Sequence, residues 1–242
     1  MIRKSLGRLA PVVGLLLLSG CATVATTVPM KNEFWSQTDR TVTVALAKLP
    51  DTLPHRAGAQ GLLDMAINEA MADELTKALK TITLTDSYGG ARSEVVKRMQ
   101  EKGLKASFVD KAIDVGALKE FSTEDKSRTY AVLDYRPLKA ELGSDRLLVF
   151  TVVQVGTIRS YYGFIPTSRP SAILNARGEI VDLQTNEVLW RETTSNSAQI
   201  DDPWDQPPDF KNVDTAVQKV IADARKTMLE KLFNPPAATA AK

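Results

Sequence analysis

From Arg40 to Leu49 apolar residues alternate with small or polar ones, with Val42, Val44 and Leu46 on one side and Thr41, Thr43 and Ala45 on the other. A period of two rich in β-branched residues predicts a strand. Pro50 and Pro54 end it, and a loop with His55, the only histidine in the chain, follows. The period then changes. Leu63, Ile67, Met71, Leu75, Ala78, Leu79 and Ile82 recur at helical spacing, which predicts one long helix over 58–82. Its apolar stripe should face the core, with Asp64, Asn68, Asp73 and Lys77 turned elsewhere.

A weaker helical pattern runs from Ser93 to Lys102, with Gly103 placed to cap it, and a second helix is expected from Phe108 to Phe121. Residues 130–135 fit either a short strand or a helical turn. Pro137 should open a short helix, Leu138 to Leu142, that Gly143 closes. Arg146 to Ile158 is apolar on both faces and is the candidate central strand, since only a strand covered on both sides reads this way. Ser171 to Leu183 predicts a second long strand, bulged or bent near Gly178, and Glu187 to Thr194 a third. Between these two, Asn186 can take the left-handed backbone of a tight antiparallel turn, and Trp190 on the returning strand should sit in the core.

A Pro- and Asp-rich loop, Asp201 to Asp209, leads to a last helix with Asn212 as its N-cap. Val217, Val220, Ile221, Ala224, Met228, Leu232 and Phe233 line one face, and Asn234-Pro235-Pro236 stops it. The order is strand, helix, helices, three strands, helix. It predicts an α/β fold with a mixed, largely antiparallel sheet packed against helices.

The N-terminus carries a different signal. Arg3, Lys4 and Arg8 precede a short apolar run, Val12 to Leu18, too short to cross a bilayer as a permanent helix. The run ends in Leu18-Ser19-Gly20-Cys21, which resembles the lipobox of bacterial lipoproteins. That resemblance implies cleavage before Cys21 and acylation of its thiol and new amino group. With Ala rather than Asp at position 22, it also implies an outer-membrane location facing the periplasm. Cys21 is the only cysteine, and lipidation would remove an unpaired thiol from an oxidising compartment. The expected organisation is therefore an export signal over 1–20, a tether over 21–39 in which Phe34 and Trp35 dock on the domain, a single domain over 40–233, and a disordered tail over 234–242.

Charge changes once the signal is set aside. Three of the 31 basic residues and none of the 29 acids lie in residues 1–20, so the rest carries 28 against 29. A near-neutral chain with interspersed charges gives no electrostatic case for nucleic acid.

The segment Gly178-Glu-Ile-Val-Asp-Leu-Gln-Thr-Asn-Glu-Val-Leu-Trp190 is similar to a hairpin of envelope lipoproteins, in which a strand ending in Asp meets a Thr-Gly turn and a strand with Leu-Trp. Here Asn186 stands in the glycine place. The group includes the curli secretion channel lipoprotein, the lipoprotein activators of penicillin-binding proteins and periplasmic lipoproteins of unassigned role. The resemblance implies a non-catalytic partner in wall synthesis or secretion, often oligomeric. Pore formation is not carried over, because the chain lacks a long amphipathic hairpin for a barrel wall.

Catalytic chemistry finds little to work with. A Ser-His-Asp triad would have to use His55, set between Pro54 and Arg56, with no nucleophile-elbow pattern at any serine. A single His makes no zinc site, Gly89-Gly90 is not followed by the Lys-Ser/Thr of a phosphate loop, and Asp201, Asp202, Asp205 and Asp209 match no calcium loop. No cofactor, metal or catalytic residue is expected. The expected partners are the membrane, through Cys21, and an envelope protein or further copies of this chain. Tyr161, Tyr162 and Phe164, crowded around Gly163 and Pro166, and Trp204 in the acidic loop are the candidate contacts, since aromatics bury much area with few torsions to freeze. The rival readings are a cell-wall hydrolase with a cleft of convergent carboxylates and a lipid or small-molecule carrier with an apolar cavity.

Overall fold

Seventeen residues, Arg146–Tyr162, form one strand, β4, and the rest of the sheet is laid out along it. The structure is a computed structural model that describes residues 26–234, without the side chains of 85–89. The export signal, Cys21 and the tail beyond Asn234 therefore lie outside the described residues. On one side β4 pairs antiparallel with β6, Ser171–Asp182, which pairs antiparallel with β7, Val188–Gln199. On the other side two parallel strands share its length. β1, Thr41–Leu46, runs beside 146–150, and β2, Leu53–Ala57, runs beside 156–160. β3, Lys105–Phe108, pairs parallel with β1, and a two-residue β5, Ile165–Pro166, folds back on the tip of β4. The sheet is mixed and the central place of β4 is as expected, with order β3-β1-β4-β6-β7.

Both faces of the first half of β4 are covered, which is why Leu147, Leu148, Val149 and Phe150 are all buried. On one face Val42, Val44, Leu148, Phe150, Val152, Leu174, Ile180 and Trp190 pack under two helices, α4 (Thr85–Glu101) and α6 (Lys211–Phe233). On the other, Ala45, Leu147, Val149, Val181, Leu183 and Val188 pack under the irregular segment 109–142 through Ile113, Ala131, Tyr135 and Leu138. Each such aliphatic side chain contributes about 1.5–3 kcal/mol by leaving water. That second face also buries an ion pair, Glu179 with Arg191, which are register partners on β6 and β7. Arg177 adds a longer contact of 3.5 Å to Glu179.

Several expectations are corrected. The helix expected over 108–121 does not form. Its start is β3, Ile113 exchanges backbone hydrogen bonds with Leu46 and Lys48, and Asp114 accepts from Gly116 N in a 3-10 turn over 115–117. Pairing with β1 satisfies this backbone better than a helix interrupted by Gly116 would. The loop holding His55 is β2. The helix over 58–82 is two helices, α2 (Leu62–Met71) and α3 (Asp73–Lys80), broken at Ala72. The tether over 21–39 is joined to the sheet at Val28, which bridges Arg191 through backbone bonds. The docking expected of Phe34 and Trp35 is found, with Phe34 buried in a one-turn α1, Glu33–Ser36, and Trp35 packed on the core. Asn212 does not cap α6. Phe210 holds that place in a left-handed conformation (φ 43°), while Asn212 Nδ2 donates to Asp201 O and Pro203 O.

Other readings match. α5, Leu138–Leu142, ends at Gly143 with φ 58°, and Trp190 is 1% exposed. Asn186 has φ 67°, and its buried side chain does more than glycine could. Its Oδ1 accepts from Tyr135 N while its Nδ2 donates to Ala131 O and Leu133 O, fastening the 131–135 segment to the hairpin. Residues 130 and 133 make only isolated bridges, to Glu187 and Glu120. The bulge expected near Gly178 lies on the neighbouring strands instead, at Val153 of β4 and Leu189 of β7. Gly178 makes room for Trp190. A Cβ there would meet Trp190 Cζ3 at 2.7 Å and Cη2 at 2.9 Å.

Gly178→Ala is therefore expected to lower stability by about 1–3 kcal/mol, read by urea unfolding. Combined with Trp190→Phe, it should cost less than the two separate losses added together, because the clash is with the larger ring. A second prediction concerns pH. Burial pushes the Tyr135 phenol up to about 12 from its ordinary value of 10.0, and the negative charge of Glu179 adds to the shift. The unfolded chain thus loses this proton first. The contribution of the neutral phenol is complete below pH 10 and is lost as pH rises toward 12. The stability difference between the native protein and Tyr135→Phe should fall by up to about 1.4 kcal/mol per pH unit across that window and be flat below it.

Candidate functional site

The bulge at Val153 decides which side chains reach the far end of the sheet. Residues 148, 150 and 152 face the α4–α6 side, and after the extra residue that face is taken up by Val155. A bulge shifts the alternation by one, so Thr157, Arg159 and Tyr161 continue on it. These three line a cleft of about 250 Å³ together with Pro54, His55 and Arg56 of β2. One wall is formed by Asn68, Met71, Glu74 and Leu75 of α2 and α3 with Ala72 at the break between them, and the other by Trp204, Asp205, Pro207 and Phe210. Gly156, with φ 129°, lets β2 approach: a Cβ there would lie 2.0 Å from Leu53 O.

Inside the cleft the guanidinium of Arg159 lies 4.8 Å from the Trp204 ring centroid and 6.0 Å from that of Tyr161, while its Nε donates to Ser168 O. Arg56 Nη2 donates to Asn68 O. His55 Nε2 donates to Val155 O, since a carbonyl can only accept.

Beside the cleft, the turn from β4 to β5 and helix α2 make a second surface. Gly163 N donates to Ala59 O, and Asn68 Nδ2 donates to Gly163 O and Gln60 Oε1. Asn68 is the only buried residue of α2. The stripe expected in the core points outward here, with Leu63 75%, Ile67 38% and Met71 79% exposed, and only Leu75, Ala78, Leu79 and Ile82 turn inward. Leu62 and Met65 of the same helix are exposed, as are Tyr162, Phe164 and Ile165 on the turn. Eight of the eleven large hydrophobics exposed among the described residues thus belong to two joined segments, 62–71 and 162–165.

The four aromatics singled out in the sequence fall in two places. Tyr161 and Trp204 line the cleft, Trp204 also packing on the core, and Tyr162 and Phe164 stand on the outer surface. The grouping of Arg56, Asn68 and Arg159 is not visible in the sequence, because it rests on the unrecognised strand β2 and on the bulge at Val153 of β4. Among the described residues no group of three His, Cys, Asp or Glu side chains could hold a metal ion, and no helix is long and apolar enough to cross a membrane.

No family model matches the chain, and no curated protein matches it. Similar folds occur among solved structures at low identity. A lipoprotein from Neisseria meningitidis is 17% identical, with 76% of this chain and 99% of that one covered and a TM-score of 0.26. A Xanthomonas campestris protein of the DUF330 family is 14% identical over 86% and 92%, with a TM-score of 0.32. A PelC dodecamer from Paraburkholderia phytofirmans is 9% identical over 77% and 84%, with a TM-score of 0.28. Superpositions at this level carry no argument about what the chain does.

Proposed function

We propose that this chain is a lipid-anchored module of the cell envelope, exported through residues 1–20 and acylated at Cys21, whose periplasmic domain docks another envelope protein. The reading is non-catalytic, in wall synthesis or secretion as the hairpin resemblance implies. One observation carries it: α2 is inverted, its single buried residue being Asn68 while Leu62, Leu63, Met65, Ile67 and Met71 face outward. Exposing joined apolar side chains is unfavourable for an isolated soluble domain, and such patches mark binding surfaces.

The geometry favours a protein over the anchoring membrane as occupant. Val28 is fixed to Arg191, which through Glu179 is level with Val149 near the start of β4. Tyr162 lies thirteen residues further along the strand, about 40 Å at the strand rise. Val28 is seven residue steps from Cys21, a reach of about 25 Å at most. The anchor thus holds one end of the sheet and leaves the apolar corner at the other.

Two measurements test this. Cys21→Ser should abolish incorporation of labelled palmitate and move the protein from the membrane to the soluble fraction; continued incorporation would sink the anchor. A photo-crosslinker at Leu63 should give a discrete adduct in intact cells, whereas one at Val153, which is 63% exposed elsewhere on the sheet, should not. Phe164→Ser should reduce the Leu63 adduct about tenfold, equivalent to about 1.4 kcal/mol, and leave the melting temperature nearly unchanged. An adduct of twice the chain mass would identify a second copy as the occupant. Equal adducts at both positions would remove the docking surface.

A further inference from the structure

We propose that the cleft between β2, β4 and the α2–α3 pair binds a small molecule bearing one anionic group on an apolar ring, the charge held by Arg56 and Arg159 and the ring against Tyr161 and Trp204. This does not depend on the docking role of the outer corner, whose Leu63 and Phe164 do not line the cleft.

The argument begins with strand register. Arg56 and Arg159 are direct partners on adjacent strands and line the same cleft. Like charges directly opposite on a sheet destabilise it. Elsewhere the chain pairs its arginines. Among the described residues nine have a carboxylate oxygen within 4.0 Å. Arg56 and Arg159 are two of the three that do not. Both are nevertheless held in place. Arg56 is tied by one bond to Asn68 O, and Arg159 by Nε to Ser168 O and by its stack on Trp204. These bonds use one nitrogen of each guanidinium. Planar forks fixed in this way suit the oxygens of a carboxylate or phosphate.

The remaining lining sets the rest of the ligand. Leu75, Tyr161, Pro166, Pro170 and Trp204 give an apolar and aromatic surface, and about 250 Å³ lies just below the usual range of drug-sized ligand sites, which restricts the occupant to a single small ring. Glu74 and Asp205 also stand on the walls. Their charges oppose a polyanion and favour a single negative group seated at the arginine pair.

The test is calorimetric titration of the full chain in detergent with phenyl phosphate, benzoate, inorganic phosphate and benzyl alcohol. Saturable 1:1 binding of phenyl phosphate or benzoate is expected, tighter than inorganic phosphate by about tenfold, with no binding of benzyl alcohol; the tighter of the two ring compounds identifies the charged group. The double variant Arg56→Gln, Arg159→Gln should weaken that binding at least about tenfold. Arg56→Gln alone, which relieves the repulsion but gives up the bond to Asn68 O, should still fold, and it carries the binding test if the double variant does not. Absence of saturation up to about 10 mM, or equal binding by the variants, would overturn the proposal.

Discussion

Everything in this domain depends on β4 outgrowing the layer that covers its second face. Over Leu147–Phe150 the strand is buried on both sides, by α4 and α6 above and by the 109–142 segment below. A strand so enclosed must be apolar at every position, and it fixes β1 and β6 on its two edges. Beyond Val153, which is itself 63% exposed, the lower layer ends. The strand continues for nine more residues with only its upper face in contact with the body, and both proposed binding surfaces include residues of that extension. The bulge at the transition is therefore more than an irregularity. Were the strand to run regularly through Val153, with no bulge, Thr157, Arg159 and Tyr161 would point away from α2 and α3, and Ile158, Ser160 and Tyr162 would occupy the cleft instead.

The sheet solves the placement of charge in two opposite ways. On the lower face Glu179 and Arg191 are register partners of opposite sign, both about 4–5% exposed in their side chains. Removing one partner of such a pair leaves an uncompensated buried charge, at about 3–5 kcal/mol, so the pair fixes which strands may meet. At the far end two arginines occupy the equivalent relationship on β2 and β4. Self-repulsion of that kind brings nothing to folding. It persists where the surrounding structure holds it, here through Asn68, Ser168 and Trp204.

What the sequence made legible was local. The two-sided burial of β4, the left-handed turn at Asn186, the end of α5 at Gly143 and the apolar face of α6 each follow from a few neighbouring residues. The missing pieces depend on distant ones. β2 contains Pro54 and has no alternation, and its residues are all half-buried. It is a strand only because Gly156, about a hundred residues away, lets its backbone come close. Without β2, the facing arginines cannot be seen. Periodicity along 63–82 gave a stripe but not the side on which the body lies, and the break at Ala72 allows the first helix to turn its stripe outward while the second keeps its own inward. The apolar run over 108–121 failed similarly, because its backbone found partners in β1 that local spacing does not reveal.

Helix α2 joins the two surfaces physically. Asn68 and Met71 line the cleft, and Leu63 and Ile67 face outward from the same ten residues. The helix is held to the body by polar contacts, from Asn68 to Arg56, Gln60 and Gly163, rather than by buried hydrophobic area. Hydrogen bonds of this type contribute about 0.5–1.5 kcal/mol each, so α2 belongs to the less stable part of the domain, where local opening is easiest. A ligand that engages Arg56 acts on the residue that grips Asn68 O. If it orders the helix, it also orders the outward face, and a partner on that face then meets a helix whose entropy cost is already met. Linkage makes the effect mutual: whatever free energy a ligand in the cleft lends to docking, docking returns to the ligand.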